Sequence, residues 1–364
     1  WLNAIIPILI VPYYSVIGGW VIKYLIGYFS GQAQTLASDT YFSAFISNGA
    51  STEICFIVFT FCTLGIIYAG VQNGIERVSK FMMPVLVVLS VIIAIYSVTR
   101  PGALEGVKYF LVPNPANFSW MTVVSAMGQM FYSLSIAMGI LVTFGSYMLK
   151  DMSIEDSTQN VEIFDTAIAI MAGLMIIPAV FAFSGGDPDT LNAGPALMFI
   201  TIPKVFESME LGSLVGVLFF VLVLFAAVTS SIALTESAVS TFEDELGWSR
   251  KKAAAVIGII MVLLGSLSAL GYGPLSGVTV IGMQFLDFFD FLTNSVMMPI
   301  AAIAICLLVT SVIGVEKIEE EVTQNGQPFR RKKVFNFMIR TLCPVFAAII
   351  LVSSVANALG WISM

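Results

Sequence analysis

Nine apolar runs decide what this chain can become. They cover residues 4–29, 53–70, 81–99, 122–149, 162–183, 212–234, 252–270, 284–314 and 337–359, and each is close to or above the roughly 20 residues an α-helix needs to cross the hydrocarbon core. A backbone inside a bilayer finds no water to bond to, so only helices and closed barrels span it, and barrel strands are about half this length. The expectation is an all-α membrane protein with nine transmembrane spans, residues 1–364 forming one transmembrane domain. Composition agrees, since 58% of residues are hydrophobic and 11% charged, where a soluble chain carries about 25% charged residues.

Lys and Arg set the orientation. With the first span entering from the cytoplasm, the inner loops hold Arg77, Lys80, Lys150, Arg250, Lys251, Lys252, Lys317, Arg330, Arg331, Lys332 and Lys333, and the outer ones only Lys23, Arg100, Lys108 and Lys204. Nine spans then leave the C-terminus outside. The net charge of −7 is spread over loops on both sides. The partners expected are the lipid bilayer and no nucleic acid, with the oligomeric state left open. The chain opens at Trp1-Leu2-Asn3, in or at the edge of a span, without an initiator Met, basic flank or signal peptide, which reads as a chain lacking its true N-terminus.

Several chemistries drop out. With no His, His-based metal sites and Ser-His triads are excluded, and no Walker-type phosphate loop is present. Cys55, Cys62, Cys306 and Cys343 lie inside apolar runs, where a thiol packs like any hydrophobe, so no disulfide framework is implied. The spans offer no plausible nucleophile and base pair, and an enzyme is not expected. The longest gaps, 30–51, 100–119 and 184–213, have mixed polarity and read either as short helices over an outer vestibule or as ordered loops. The segment 314–333 is charged, contains the turn signal Asn325-Gly326, and reads as a solvated connector.

Polar residues inside the runs carry the functional signal. "GQMFYSLSIAMG", 128–139, places Gly128, Gln129, Ser133, Ser135 and Gly139 at the centre of the fourth run. Helix packing through small residues explains an isolated Ser or Gly; a cluster at mid-membrane points to a site. Transporters break helices at this depth and present carbonyls and half-helix ends to ions and zwitterions. In the sixth run Ala226, Thr229, Ser230 and Ala233 share one helical face. Their hydroxyls suit a hard cation such as sodium, with packing an equal alternative. Asp165, near the start of the fifth run, reads more readily as a helix cap than as an inward-reaching ligand. Asp287 and Asp290 open the eighth run as interfacial charges or half of a gate, and Glu236 lines an exit path or pairs with a basic residue.

These stretches resemble the neurotransmitter:sodium symporter family, in its bacterial LeuT-like branch of amino-acid transporters. "PYYSVIGGW" (12–20) is similar to the family's third helix and "GIERVSKFMMP" (74–84) to its loop before helix five. The fourth run is similar to its unwound sixth helix, "FDTAIAIMAGLMIIPAVFAFSG" (164–185) to its seventh, "TSSIAL" (229–234) to its eighth and "FLDFFDF" (285–291) to its tenth. The resemblance implies an inverted-repeat bundle in which the nine runs are helices three to eleven, helices one and two being absent from this sequence. It departs from the pattern at Tyr132, where Phe is usual, and at Ala137, where Gly is common and Ala should stiffen the break slightly.

Carried over by position, the resemblance assigns roles. The Tyr14 hydroxyl meets a substrate carboxylate; carbonyls at Tyr132 and Ser133, with the Ser135 hydroxyl, receive the amino group. Ile10, Tyr132, Met138, Ser230 and Leu234 wall the side-chain pocket. Two sodium ions are implied, one at Ser133, the other at the Ala226 carbonyl with Thr229 and Ser230. Asp290 matches an outer-gate acid. Gln129 belongs to the family's chloride region, where Asp165 either replaces the anion or touches the first sodium. The implied function is sodium-coupled symport of a neutral, hydrophobic or aromatic amino acid by alternating access, chloride-independent, in a bacterial inner membrane. The competing class is a non-transporting sensor or packing subunit with the same fold.

Overall fold

A computed structural model describes residues 1–187, 194–358, 360 and 361. Among these, eight helices are long and apolar enough to cross a membrane. We label them with the two halves of a ninth, broken one: α1 (Leu2–Phe29), α2 (Gly49–Tyr68), α3 (Val71–Val98), α4 (Trp120–Ser133), α5 (Ile140–Ser146), α6 (Ile154–Ser184), α7 (Gly212–Leu246), α8 (Arg250–Leu270), α9 (Phe285–Ile313) and α10 (Lys332–Ala358). The nine expected runs are all helical, except that the fourth is divided.

The centre of the bundle is α1, packed against α7, α2 and α8. It is apolar on every side, as a helix surrounded by protein must be, and Ile6, Ile10, Tyr13, Val16, Trp20 and Tyr24 are buried along it. Without a hydrophobic drive between helices in lipid, close packing holds them together and small residues permit it. At Gly19 an added Cβ would lie 2.6 Å from the Phe56 backbone nitrogen, so α1 and α2 touch through bare backbone. Helix α6 packs on α3, and α10 on α9.

Several helices outrun their apolar segments because backbone bonding continues into the polar margin. The clearest case is α6, which starts at Ile154. The Ser153 hydroxyl caps it by accepting from the Asp156 amide at 3.2 Å, and Glu155 and Asp156 occupy its first turn, where the helix dipole favours acids. Asp165 is therefore about three turns inside the helix. Its reading as an N-terminal cap is corrected; Ser153 holds that position.

The outer gaps contain short helices, Ala33–Leu36 and Tyr41–Ser47 in the first, Ala103–Leu111 in the second, and Gly194–Ala196 and Ile202–Glu207 in the third. Residues 188–193 of the third gap lie outside the described residues. Tyr24 donates to the Phe199 carbonyl at 2.7 Å, and Trp20 meets the stacked rings of Phe42 and Phe199 edge-on, which ties this outer segment to α1. Residues 324–326 form a single tight turn with Gly326 at φ +75°, as the Asn325-Gly326 pair predicts.

Candidate substrate and ion site

The break in the fourth run is built from its own backbone. The chain leaves α4 through amide bonds from Leu134, Ser135 and Ile136 to the carbonyls of Met130, Tyr132 and Phe131 at 2.9–3.1 Å. It then passes through left-handed conformations at Ser135 (φ +54°), Ala137 (+62°) and Gly139 (+77°) before α5 begins. The regular helical ladder is interrupted between Ser133 and Ile140, which leaves carbonyls of the break without their usual helical partners. Ala137 does more than stiffen the segment: a non-glycine residue in this region costs about 1–2 kcal/mol, and strain of this kind concentrates at functional sites.

Gly139 has no substitute. Besides its positive φ, an added Cβ would lie 2.8 Å from the Asn3 carbonyl and 2.9 Å from the Ser237 hydroxyl. Gly139→Ala is expected to lower stability by about 1–3 kcal/mol, read as a fall in the thermal unfolding midpoint in detergent. An unchanged midpoint would show that the break is not held where it stands.

The broken segment opens into a cavity of about 420 Å³. Its lining includes all eight sequence-selected substrate residues, Ile10 and Tyr14 from α1, Tyr132, Ser133, Ser135 and Met138 from the break, and Ser230 and Leu234 from α7, together with Gln129 and Thr229. Met83, Ile140 and Ala233 complete it. Ala233 shares the sequence-selected face of α7. Met83 and Ile140 looked like ordinary apolar residues, and nothing local to them signals a cavity. The lining is mixed. Tyr14, Ser133, Ser135, Thr229 and Ser230 present hydroxyls, whereas Ile10, Met83, Met138 and Leu234 present hydrocarbon.

Ser133 joins this cavity to Asp165, donating to the Asp165 carboxylate at 2.7 Å. The Asp165 carboxylate therefore meets a residue that lines the cavity. The Ala226 carbonyl accepts from the Thr229 hydroxyl at 3.0 Å, which also bonds Phe225 at 2.9 Å. Donating its proton to its own helix leaves the Thr229 oxygen lone pairs free for a cation. The hydroxyls of Ser133, Thr229 and Ser230 and the Asp165 carboxylate are oxygen donors of the kind that suits hard cations.

Asp290 does not line the cavity. It stands on α9, where it accepts from the Tyr13 hydroxyl at 3.1 Å and the Asn294 amide at 2.5 Å, and Tyr13 also meets Thr293 at 3.3 Å. Sequence reading missed Tyr13, whose neighbour Tyr14 faces the cavity. Tyr272 donates to Asp287 at 3.0 Å; burial, then the adjacent carboxylate, pushes its phenol above the ordinary value, so it remains a donor. Away from the cavity, Glu236 is wholly buried on α7. Arg250 clamps it with bonds of 2.5 and 3.0 Å while Tyr147 donates at 2.7 Å. Of its two readings, pairing with a basic residue is the one found.

A helical membrane bundle with a broken helix beside a cavity of mixed polarity defines a class, that of substrate carriers. Residues 28–360 match the Sodium:neurotransmitter symporter family, and the chain belongs to that family. It is 35% identical over 357 residues to a sodium-dependent transporter of Bacillus subtilis (strain 168), covering 97% of this chain and 78% of that one. A sodium-dependent transporter of Haemophilus influenzae (strain ATCC 51907 / DSM 11121 / KW20 / Rd) is 31% identical over 354 residues, 95% of this chain and 76% of the relative. The sodium- and chloride-dependent taurine transporter of Rattus norvegicus is 26% identical over 267 residues, 70% of this chain and 39% of its own length. Among solved structures, MhsT in complex with L-phenylalanine is similar with a TM-score of 0.84 and 35% identity, covering 97% of this chain and 80% of that one. The fold is the LeuT-type bundle that the sequence resembles, and the protein is a sodium-dependent transporter rather than an enzyme.

Proposed function

We propose that the protein couples sodium entry to the uptake of a neutral amino acid with a large apolar side chain, by alternating access and without chloride. The observation that carries this reading is Ser133, which lines the cavity at the helix break and at the same time bonds Asp165. A zwitterion would place its amino group on the carbonyls of Tyr132 and Ser133 and the Ser135 hydroxyl, and its carboxylate toward Tyr14 and a first sodium at Ser133. A second sodium would sit at the Ala226 carbonyl, Thr229 and Ser230. Because substrate and sodium share Ser133, each binds better when the other is present, and linkage makes that reciprocal. Asp165 supplies the negative charge that a chloride ion gives elsewhere, and Asp290 with Tyr13 serves as the outer gate. The single domain would lie in a bacterial inner membrane, and the distribution of Lys and Arg supports a C-terminus outside.

The hydrocarbon wall sets side-chain preference. Ile10, Met83, Met138 and Leu234 carry no charge, and the flexible Met side chains can move aside for an aromatic ring. The structural relative solved with L-phenylalanine supports the same preference. In a competition assay against a labelled hydrophobic amino acid on the full-length protein, Leu, Phe, Tyr and Trp are expected to displace it at least about a hundredfold better than Asp, Glu or Lys. That margin corresponds to about 3 kcal/mol, modest for burying an unpaired charge. Equal competition by the charged amino acids would contradict the pocket assignment.

A further inference from the structure

The basic start of α10 has a charge pattern that transport does not use. Arg330 pairs with Asp156 at 3.4 Å, Arg331 with Glu162 at 2.7 Å, and Lys332 with Glu319. Each of these three cations meets an acid of this chain. Lys333 and Arg340 differ: among the described residues neither has a carboxylate within ion-pair distance, and both are exposed. They stand at i and i+7, with Phe337 between them at i+4, so all three share one helical face. Beyond the π-helical turn Met338–Leu342 the helix goes on exposing apolar residues, Val345, Ile349 and Val352, the kind of surface a spanning helix turns to acyl chains. A cation on such a stripe is costly unless it reaches an anion at the membrane boundary.

Depth places Arg340 at that boundary. From Arg340 to Ala358 the helix rises roughly 27 Å at 1.5 Å per residue, and exposed Trp361 lies just beyond. This matches a hydrocarbon core of about 30 Å with Trp at the far interface. Arg340 then sits at the level of the phosphates, and its side chain, tilted toward the helix N-terminus and drawn to the polar side, reaches toward Lys333, two turns nearer the water. We infer that Lys333 and Arg340 bind the phosphodiester headgroup of an anionic phospholipid, with exposed Phe337 seated against the upper part of its acyl chains. A free phosphate ion would have no use for Phe337 and Val334, the exposed apolar side chains interleaved with the two cations. The guanidinium offers a bidentate fork to two phosphate oxygens; the lysine adds a point charge.

The test uses full-length protein carrying Phe337→Trp, reconstituted in vesicles of phosphatidylcholine with a minor fraction of brominated phosphatidylglycerol or brominated phosphatidylcholine. Quenching of the new tryptophan, read against the parent protein, reports which lipid occupies the site. Phosphatidylglycerol is expected to be preferred about thirtyfold, about fivefold from each cation, the effect of about 1 kcal/mol per basic residue near an anionic surface. Lys333→Gln should reduce the preference about fivefold, and Arg340→Lys less than that because the charge is kept. Arg340→Gln with Lys333→Gln should abolish it while sodium-dependent substrate binding is retained. Should the double variant fail to fold, the two single ones carry the same prediction. Equal quenching by both lipids, a preference unchanged by Lys333→Gln and Arg340→Lys, or full displacement by inorganic phosphate in solution would each overturn the inference.

Discussion

Asp165→Ser is expected to abolish most sodium-dependent substrate binding in chloride-free buffer and to recover part of it when chloride is added. Sodium ions and a zwitterion held at mid-membrane leave excess positive charge, and surroundings of low dielectric make that charge expensive. Asp165 is the carboxylate within reach, bonded to the Ser133 hydroxyl at 2.7 Å. Removing the charged member of such a hydrogen bond costs about 1.5–3 kcal/mol, or roughly ten- to a hundredfold and more in affinity. The serine leaves space and a hydroxyl beside Ser133, which lines the cavity together with Gln129, so an added anion has a place to act. Titration of labelled substrate against sodium, with chloride and with an inert anion, checks it. Normal sodium affinity without chloride would reduce Asp165 to a hydrogen-bond partner of Ser133.

The second large effect lies at the Glu236 network. Glu236 is fully buried, and Arg250 holds both of its oxygens. Arg250→Ala strands a charge in the protein interior and is expected to lower stability by about 3–5 kcal/mol, seen as a large drop in the thermal midpoint of the purified protein. Arg250 also donates to the Ile67 carbonyl at 3.1 Å, so the same change loosens the end of α2. Combining it with Glu236→Gln removes the stranded charge, and the double variant should be more stable than Arg250→Ala alone. A double variant that loses the sum of both single effects would mean that the two residues do not act as a pair.

The spans were legible because membrane helices leave an extreme signature in composition. The break in the fourth run was legible for a related reason: Ser133, Ser135 and Gly139 are conspicuous against Met, Leu and Ile. Asp165 was harder. The apolar run begins at residue 162, which put Asp165 near a helix start, while the capping signal that locates the start, Ser153 followed by Asp156, lies in a charged stretch that apolar counting skips. The pairing of Tyr13 with Asp290 links residues 277 positions apart, and no local pattern encodes such a contact. Met83 and Ile140 face the cavity only because of how α3 and α5 rotate against α1 and α7. The two readings of Glu236 were left open by sequence and separated by the turn between α7 and α8, which brings Arg250 back onto it.

Flux in proteoliposomes tests the central claim most directly. Full-length protein is reconstituted, a sodium gradient is imposed across the membrane, and uptake of a labelled hydrophobic amino acid is followed. The account predicts accumulation above the external concentration that requires the inward sodium gradient, collapses when sodium is equal on both sides, and persists when chloride is replaced by an inert anion. Sodium-dependent binding of the amino acid without accumulation under any gradient would contradict it and make the protein a sensor with a carrier's fold.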